Sequence, residues 1–144
     1  MKRILIVDDQ RITRHLLHFA LREQFVLEEA PDADTAFAMI MASPPDALVL
    51  DVMMPGSMDG YQLCQKIKQN PSLAPIYVVL VTSCRQAEDQ EKGRILGANA
   101  YFVKPFSPLM LEQHLKDALQ VGWEICTESL SLSDLERLNA NLAA

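Results

Sequence analysis

Four apolar runs in this sequence end on residues that could do chemistry. Asp8 and Asp9 follow "ILIV" (4–7), Asp51 follows "ALVL" (47–50), Thr82 and Ser83 follow "IYVVLV" (76–81), and Lys104, with Pro105 behind it, follows "AYFV" (100–103). Singly, each has a plain explanation: adjacent acids cap the next helix, a lone aspartate or threonine closes a turn, and a lysine is solvated. Brought together they would do more. Three carboxylates within a few ångströms repel, and their ionised form is costly unless a cation neutralises it. Magnesium suits such a site, because it takes oxygen ligands and keeps waters that phosphate oxygens can replace. With that charge in place Asp51 can act as a nucleophile toward a phosphoryl donor, with Lys104 as a second cation and Thr82 as a hydroxyl donor. The Lys104–Pro105 bond offers a cis peptide that would fix the lysine's direction; a trans turn into the last helix is the plain alternative.

The elements that must position these residues are short strands and helices in alternation. The apolar runs are continuous, as in strands covered on both faces, and "FVLEEA" (25–30) is a weaker strand candidate. Helical spacing links Ile12, Leu16, Phe19 and Ala20; Ala33, Ala36, Phe37 and Ile40; Leu63 and Ile67; and Leu111, Leu115, Ala118 and Leu119. Asp32 or Asp34 caps the second helix, and "SPPD" (43–46) and "NPSLAP" (70–75) break the chain before strands. The segment 86–96 is charged until Ile95 and Leu96, which predicts the least firmly docked helix. About five such βα units fold into one parallel sheet with helices on both faces. Ligands of such sheets bind beyond the carboxyl ends of the strands, where the strand order reverses. All the residues named above then meet on one edge.

A chain of 144 residues, 49% apolar, fits one compact domain. The net charge of −6 argues against a direct nucleic-acid ligand or an anionic membrane surface. The apolar run after "MKR" is interrupted by acids after four positions, too early for a signal peptide or a membrane span, so a cytosolic protein is expected. Cys64, Cys84 and Cys126 are scattered and read as reduced thiols, and His15, His18 and His114 fall in helical segments, so zinc is disfavoured.

These residues resemble the receiver domain of bacterial two-component response regulators. The resemblance covers about residues 2–121 and is carried by "ILIVDD", "LVLDVMMPGSMDGYQLC", "VTS" and "GANAYFVKPF" in that order and spacing. It implies a flavodoxin-like, doubly wound α/β fold with strand order 2-1-3-4-5. It also implies a non-enzymatic signalling role, in which a sensor histidine kinase or phosphotransfer protein phosphorylates Asp51. By the same resemblance Asp8, Asp9, Asp51 and the carbonyl of Met53 hold Mg2+, Lys104 pairs with the acids and the phosphoryl group, and Thr82 is the switch hydroxyl. Tyr101, otherwise an ordinary packing residue, matches the switch aromatic, and the face around 83–120 would change on phosphorylation. Met53 and Cys84 match positions that tune dephosphorylation.

The sequence departs from the family pattern at several points. Ser57 is a one-residue expansion before "MDG", Ser83 replaces a smaller residue, and "LMLEQHLKDALQ" lacks the arginines of the charged dimer face of transcription-factor receivers. Two routes to a homodimer stay open, the 83–120 face and the C-terminal helix. In residues 122–144 Ser133 would cap a helix carrying Leu135, Leu138 and Leu142, either packed on the domain, frayed, or linking to a dimer or output.

Rival readings fit less well. A haloacid dehalogenase-type phosphatase places its nucleophile in a DxD after the first strand, a flavin domain needs a phosphate cradle where "DDQRIT" is acidic, and a phosphate-independent module would not need the whole acidic set.

Overall fold

The computed structural model describes residues 1–83 and 87–121. Expectations for Cys84, Cys126 and the segment 122–144 lie outside the described residues. The chain alternates β1 (Arg3–Val7), α1 (Arg11–Leu21), β2 (Val26–Ala30), α2 (Ala33–Ala42), β3 (Ala47–Asp51), α3 (Gly60–Gln69), β4 (Tyr77–Thr82), α4 (Ala87–Ile95), β5 (Ala100–Val103) and α5 (Pro108–Leu119). All pairings are parallel, in the order β2-β1-β3-β4-β5. The expected doubly wound sheet is therefore present.

Period-two alternation splits the strands' apolar runs between two cores. Leu5, Val7, Leu48, Leu50, Val78 and Leu80 pack with α2 and α3 on one face, while Ile4, Ile6, Val49, Val79 and Val81 pack with α1 and α5 on the other. "FVLEEA" forms the edge strand β2, whose Val26 is exposed. Asp32, rather than Asp34, caps α2, its side chain accepting from the Thr35 amide at 2.7 Å.

The apolar stripe expected on α1 points the other way. Ile12, Leu16 and Phe19 are 77%, 61% and 66% exposed, and the helix buries Leu17 and Leu21 instead. "RITRHLLHFAL" carries apolar residues on two sides. The side that docks is the one that packs Leu17 and Leu21 with Ile4, Ile6 and α5, a choice that periodicity alone does not make. A smaller correction falls on α4. Ile95 is 71% exposed, so Leu96, packing with Ala98 and Tyr101 on the α2/α3 core, supplies its apolar contact.

Candidate functional site

Strand register assembles the site. Val7 pairs with Leu50 across β1 and β3, Asp51 with Val81 across β3 and β4, and Thr82 with Val103 across β4 and β5. One step past these pairs stand Asp8, after β1, and Lys104, after β5; β3 and β4 lie between, and each neighbouring pair of strands is about 4.8 Å apart, so the long lysine side chain has to span the gap. The order reverses between β1 and β3, so Asp8 and Asp51 lie side by side at the switch point.

The three acids converge as expected. Asp8, Asp9 and Asp51 each offer a carboxylate oxygen, and these lie within 4.8 Å of one another. Asp8 and Asp51 are buried, whereas Asp9 opens to solvent. Lys104 Nζ is 3.2 Å from Asp8 Oδ2 and 3.9 Å from Asp51 Oδ2, so the lysine serves Asp8 first. Asp8 Oδ1 accepts the Gln10 amide at 2.8 Å, and Asp51 Oδ1 accepts the Met53 amide at 3.2 Å. Burial, then the neighbouring Asp8, push the Asp51 carboxyl up to about 6, against the opposing pull of Lys104. That is the signature of a carboxylate cluster short of positive charge. A hard cation fits the all-oxygen donor set and would relieve the repulsion.

The remaining sequence-predicted residues border this cluster. Thr82 is fully buried at the end of β4, and its carbonyl accepts the Lys104 amide at 2.7 Å. Ser83 is exposed beside it. Met53 lies in the loop after β3 with its side chain in solvent. The Lys104–Pro105 bond is cis. Tyr101 is half-buried on β5, its hydroxyl 3.4 Å from that of Tyr61. Ser57, the extra loop residue, donates to Asp34 Oδ2 at 2.8 Å and so ties the β3–α3 loop to α2. His18 pairs with Glu29 at 3.0 Å and His114 meets the Tyr77 hydroxyl at 2.7 Å, both away from the acids, as expected of packing and surface residues.

Gly60 explains why the loop closes over Asp51. A Cβ at position 60 would stand 2.3 Å from the Asp51 carbonyl oxygen, and the Gly60 amide donates to the Val52 carbonyl at 3.1 Å. Asp59 caps α3 from the same turn, accepting the Gln62 amide while Gln62 accepts the Asp59 amide.

Sequence reasoning passed over Arg14 and Tyr61. Arg14 Nη1 donates to the Asp8 carbonyl at 2.7 Å. A signal existed, since a basic residue in the first turns of a helix opposes the helix dipole and calls for a specific partner. Tyr61 donates to the Asp89 carbonyl of α4 at 3.1 Å, a contact no local pattern announces.

Residues 4–116 match the family described as the response regulator receiver domain. Response regulator PleD of Caulobacter vibrioides is 41% identical over 110 residues, covering 76% of this chain and 24% of that protein. The probable transcriptional regulator ycf27 of Cyanophora paradoxa is 34% identical over 142 residues, covering 98% of this chain and 56% of that protein. The chain thus spans about a quarter to about a half of the length of these relatives. Among solved structures, the signal receiver domain of a DNA-binding response regulator from Colwellia psychrerythraea 34H superposes with a TM-score of 0.78 at 29% identity, covering 83% of this chain and 99% of that one. The acidic strand edge, the strand order and the motif match over most of the chain agree: the chain belongs to the response regulator receiver domain family.

Proposed function

We propose that the chain is a phosphoacceptor switch that takes a phosphoryl group onto Asp51 from a histidine kinase or phosphotransfer protein. The observation that carries this reading is the buried Asp51 carboxylate beside Asp8 and Asp9, with Lys104 at 3.9 Å. In the transfer, an Asp51 carboxylate oxygen attacks phosphorus, the new P–O bond forms as the donor's P–N bond breaks, and the electron pair leaves on the imidazole nitrogen. In this reading Asp8, Asp9, Asp51 and the Met53 carbonyl would hold Mg2+, which would supply positive charge to offset that of the acids and the phosphoryl group. Lys104, paired with Asp8 at 3.2 Å and 3.9 Å from Asp51, faces added negative charge once Asp51 is modified.

Thr82 is the hydroxyl that turns toward the phosphoryl group, and Tyr101 the aromatic that follows it, carrying the change to the face around 83–120. Placement of α4 on a lightly packed part of that face supports this assignment. The exposed stripe of Ile12, Leu16 and Phe19 on α1 gives a protein donor apolar surface to bury. The domain spans residues 1–121, with 122–144 as a separate tail that could join a dimer or an output. Signalling rather than turnover, a cytosolic setting and no direct nucleic-acid contact complete the reading. No helix among the described residues is long and apolar enough to cross a membrane.

Intact-mass measurement after incubation with Mg2+ and acetyl phosphate tests the core of this proposal. One labile phosphoryl adduct is expected on the wild type and none on Asp51→Asn. An adduct on both proteins, or on neither, would overturn the assignment.

A further inference from the structure

Arg14 has no role in the reading above, yet its guanidinium reaches the loop that carries Asp8 and Asp9. Nη1 donates to the Asp8 carbonyl at 2.7 Å, and Nε lies 3.3 Å from Glu29 Oε1 on β2. The second Glu29 oxygen is 3.0 Å from His18 Nδ1, one turn along α1. The Arg14 side chain is 15% exposed, so its charge is largely withdrawn from water near a helix end that disfavours cations. A forked guanidinium can bridge two acceptors in fixed geometry, which a lysine ammonium cannot do as rigidly.

The bridge controls a single peptide plane. The Asp8 carbonyl and the Asp9 amide belong to the same planar unit, so holding one orients the other and sets where the Asp9 Cα points. On its other side Asp8 is tied by its amide to the Ala30 carbonyl at 3.2 Å, and its side chain is held by Gln10 and Lys104. Asp9 is different. It is exposed, and among the described residues no hydrogen bond holds its carboxylate.

We infer that Arg14, braced by Glu29, is a positioning residue that fixes the Asp8–Asp9 peptide plane and thereby presents the Asp9 carboxylate to the cation. This rests on the proposal that the acidic edge binds Mg2+ and that Asp51 accepts phosphate. Outer partners of metal ligands commonly change metal affinity by 10-fold or more when removed. Arg14→Met, which keeps the stem's volume, should weaken Mg2+ binding about tenfold. Phosphorylation by acetyl phosphate should then slow at limiting Mg2+ and recover when Mg2+ is saturating. Arg14→Lys should recover only part of the affinity. Glu29→Gln should show a smaller loss in the same direction.

The test is calorimetric titration of the full chain with Mg2+ for wild type, Arg14→Met, Arg14→Lys and Glu29→Gln, with urea midpoints and phosphorylation rates measured on the same samples. Weaker Mg2+ binding by folded Arg14→Met, with the rate restored at saturating Mg2+, supports the inference. Wild-type affinity in that variant, or a rate that saturating Mg2+ does not restore, overturns it. If Arg14→Met does not fold, unchanged affinity in Glu29→Gln overturns it instead, and weakened affinity supports it. A wild type that neither binds Mg2+ nor takes phosphate would remove the underlying reading and this inference with it. A wild type that does both, beside an unaltered Arg14→Met, would remove only the inference.

Discussion

Helices α3 and α4 lie on the same face of the sheet and touch through Tyr61, but they are held by different means. α3 buries Gly60, Tyr61, Leu63, Cys64 and Ile67, and its capping box satisfies both ends of its first turn. Lys68, near its end, donates to the carbonyls of Ala74 and Ile76 at 2.9 and 2.6 Å, clamping the following loop. In α4, "AEDQEKGRI", Gly93 is the buried residue among the described side chains. Its contacts include the Tyr61 hydroxyl on the Asp89 carbonyl and Lys92 Nζ 4.5 Å from the Tyr61 ring centroid. A few polar and cation–π contacts are worth about 1 kcal/mol each, whereas each large apolar side chain buried by α3 contributes roughly 1.5–3 kcal/mol. One sheet face thus carries a helix built into the core and another resting on it. In the proposed switch, the first fixes Asp51 and the second is free to respond.

Gly60 of α3 and Gly93 of α4 offer the sharpest way to break this contrast. Gly60→Ala places a methyl 2.3 Å from the Asp51 carbonyl oxygen, a backbone atom that cannot yield without moving the site. A loss of about 3 kcal/mol or more is expected in urea unfolding, together with loss of phosphorylation, since overpacking against fixed atoms is costly. Gly93→Ala meets the Leu80 Cδ1 atom at 3.0 Å and the Tyr101 ring at 3.2 Å. Those are side-chain atoms that can shift, and the gain in helix propensity of about 1 kcal/mol offsets the crowding. Global stability should change by less than about 1 kcal/mol. Equal losses in the two variants would mean that α4 is docked as firmly as α3.

The rigid half also carries an electrostatic cost that α4 does not share. The folded Asp51 carboxyl titrates near 6 and its unperturbed value is 3.8, so its contribution to stability is fully present below about 3.8 and is lost as pH rises through about 6. Without divalent cation, Asp51→Asn should therefore be more stable than wild type at pH 7.5, by about 1–2 kcal/mol after allowing for solvent screening. The advantage should vanish by about pH 4 and should shrink or reverse when Mg2+ is added at pH 7.5. Urea midpoints across that pH range read the effect; an Asn variant whose advantage over wild type is no larger at pH 7.5 than at pH 4 would contradict it.

The smallest effects concern the contact between the helices. Tyr61→Phe removes the hydroxyl from the Asp89 carbonyl and from Tyr101 while keeping the ring. Global stability should fall by about 1 kcal/mol or less, but amides of α4 should exchange several-fold faster, with those of α3 unchanged. Hydrogen exchange read by mass spectrometry distinguishes the outcomes. Equal acceleration in both helices would show that Tyr61 supports the core rather than the joint.

How much of this was legible in the residues varies by element. The strands were, because runs such as "ALVL" and "IYVVLV" are apolar without alternation, as double coverage demands. The convergence of Asp8, Asp51, Thr82 and Lys104 was too, since a parallel sheet puts every strand's carboxyl end on one edge. The docking face of α1 was not: two apolar stripes compete in "RITRHLLHFAL", and periodicity is silent between them. Nor was the weakness of α4 fully described, because Ile95 looks like an anchor until Gly93 is seen to occupy the inner face.

By itself, then, the sequence determined the order of elements, the layered sheet and the acidic set at its edge, all of which follow from local period and chain direction. Tertiary structure alone decided that Lys104 serves Asp8 before Asp51, that Arg14 grips the Asp8 carbonyl, and that Tyr61 joins α3 to α4. Those contacts depend on how closely packed helices approach, and on which atoms of long side chains meet across 6 to 96 residues of chain; a local pattern such as a basic residue near the start of α1 says that a partner is needed, but not which atom supplies it.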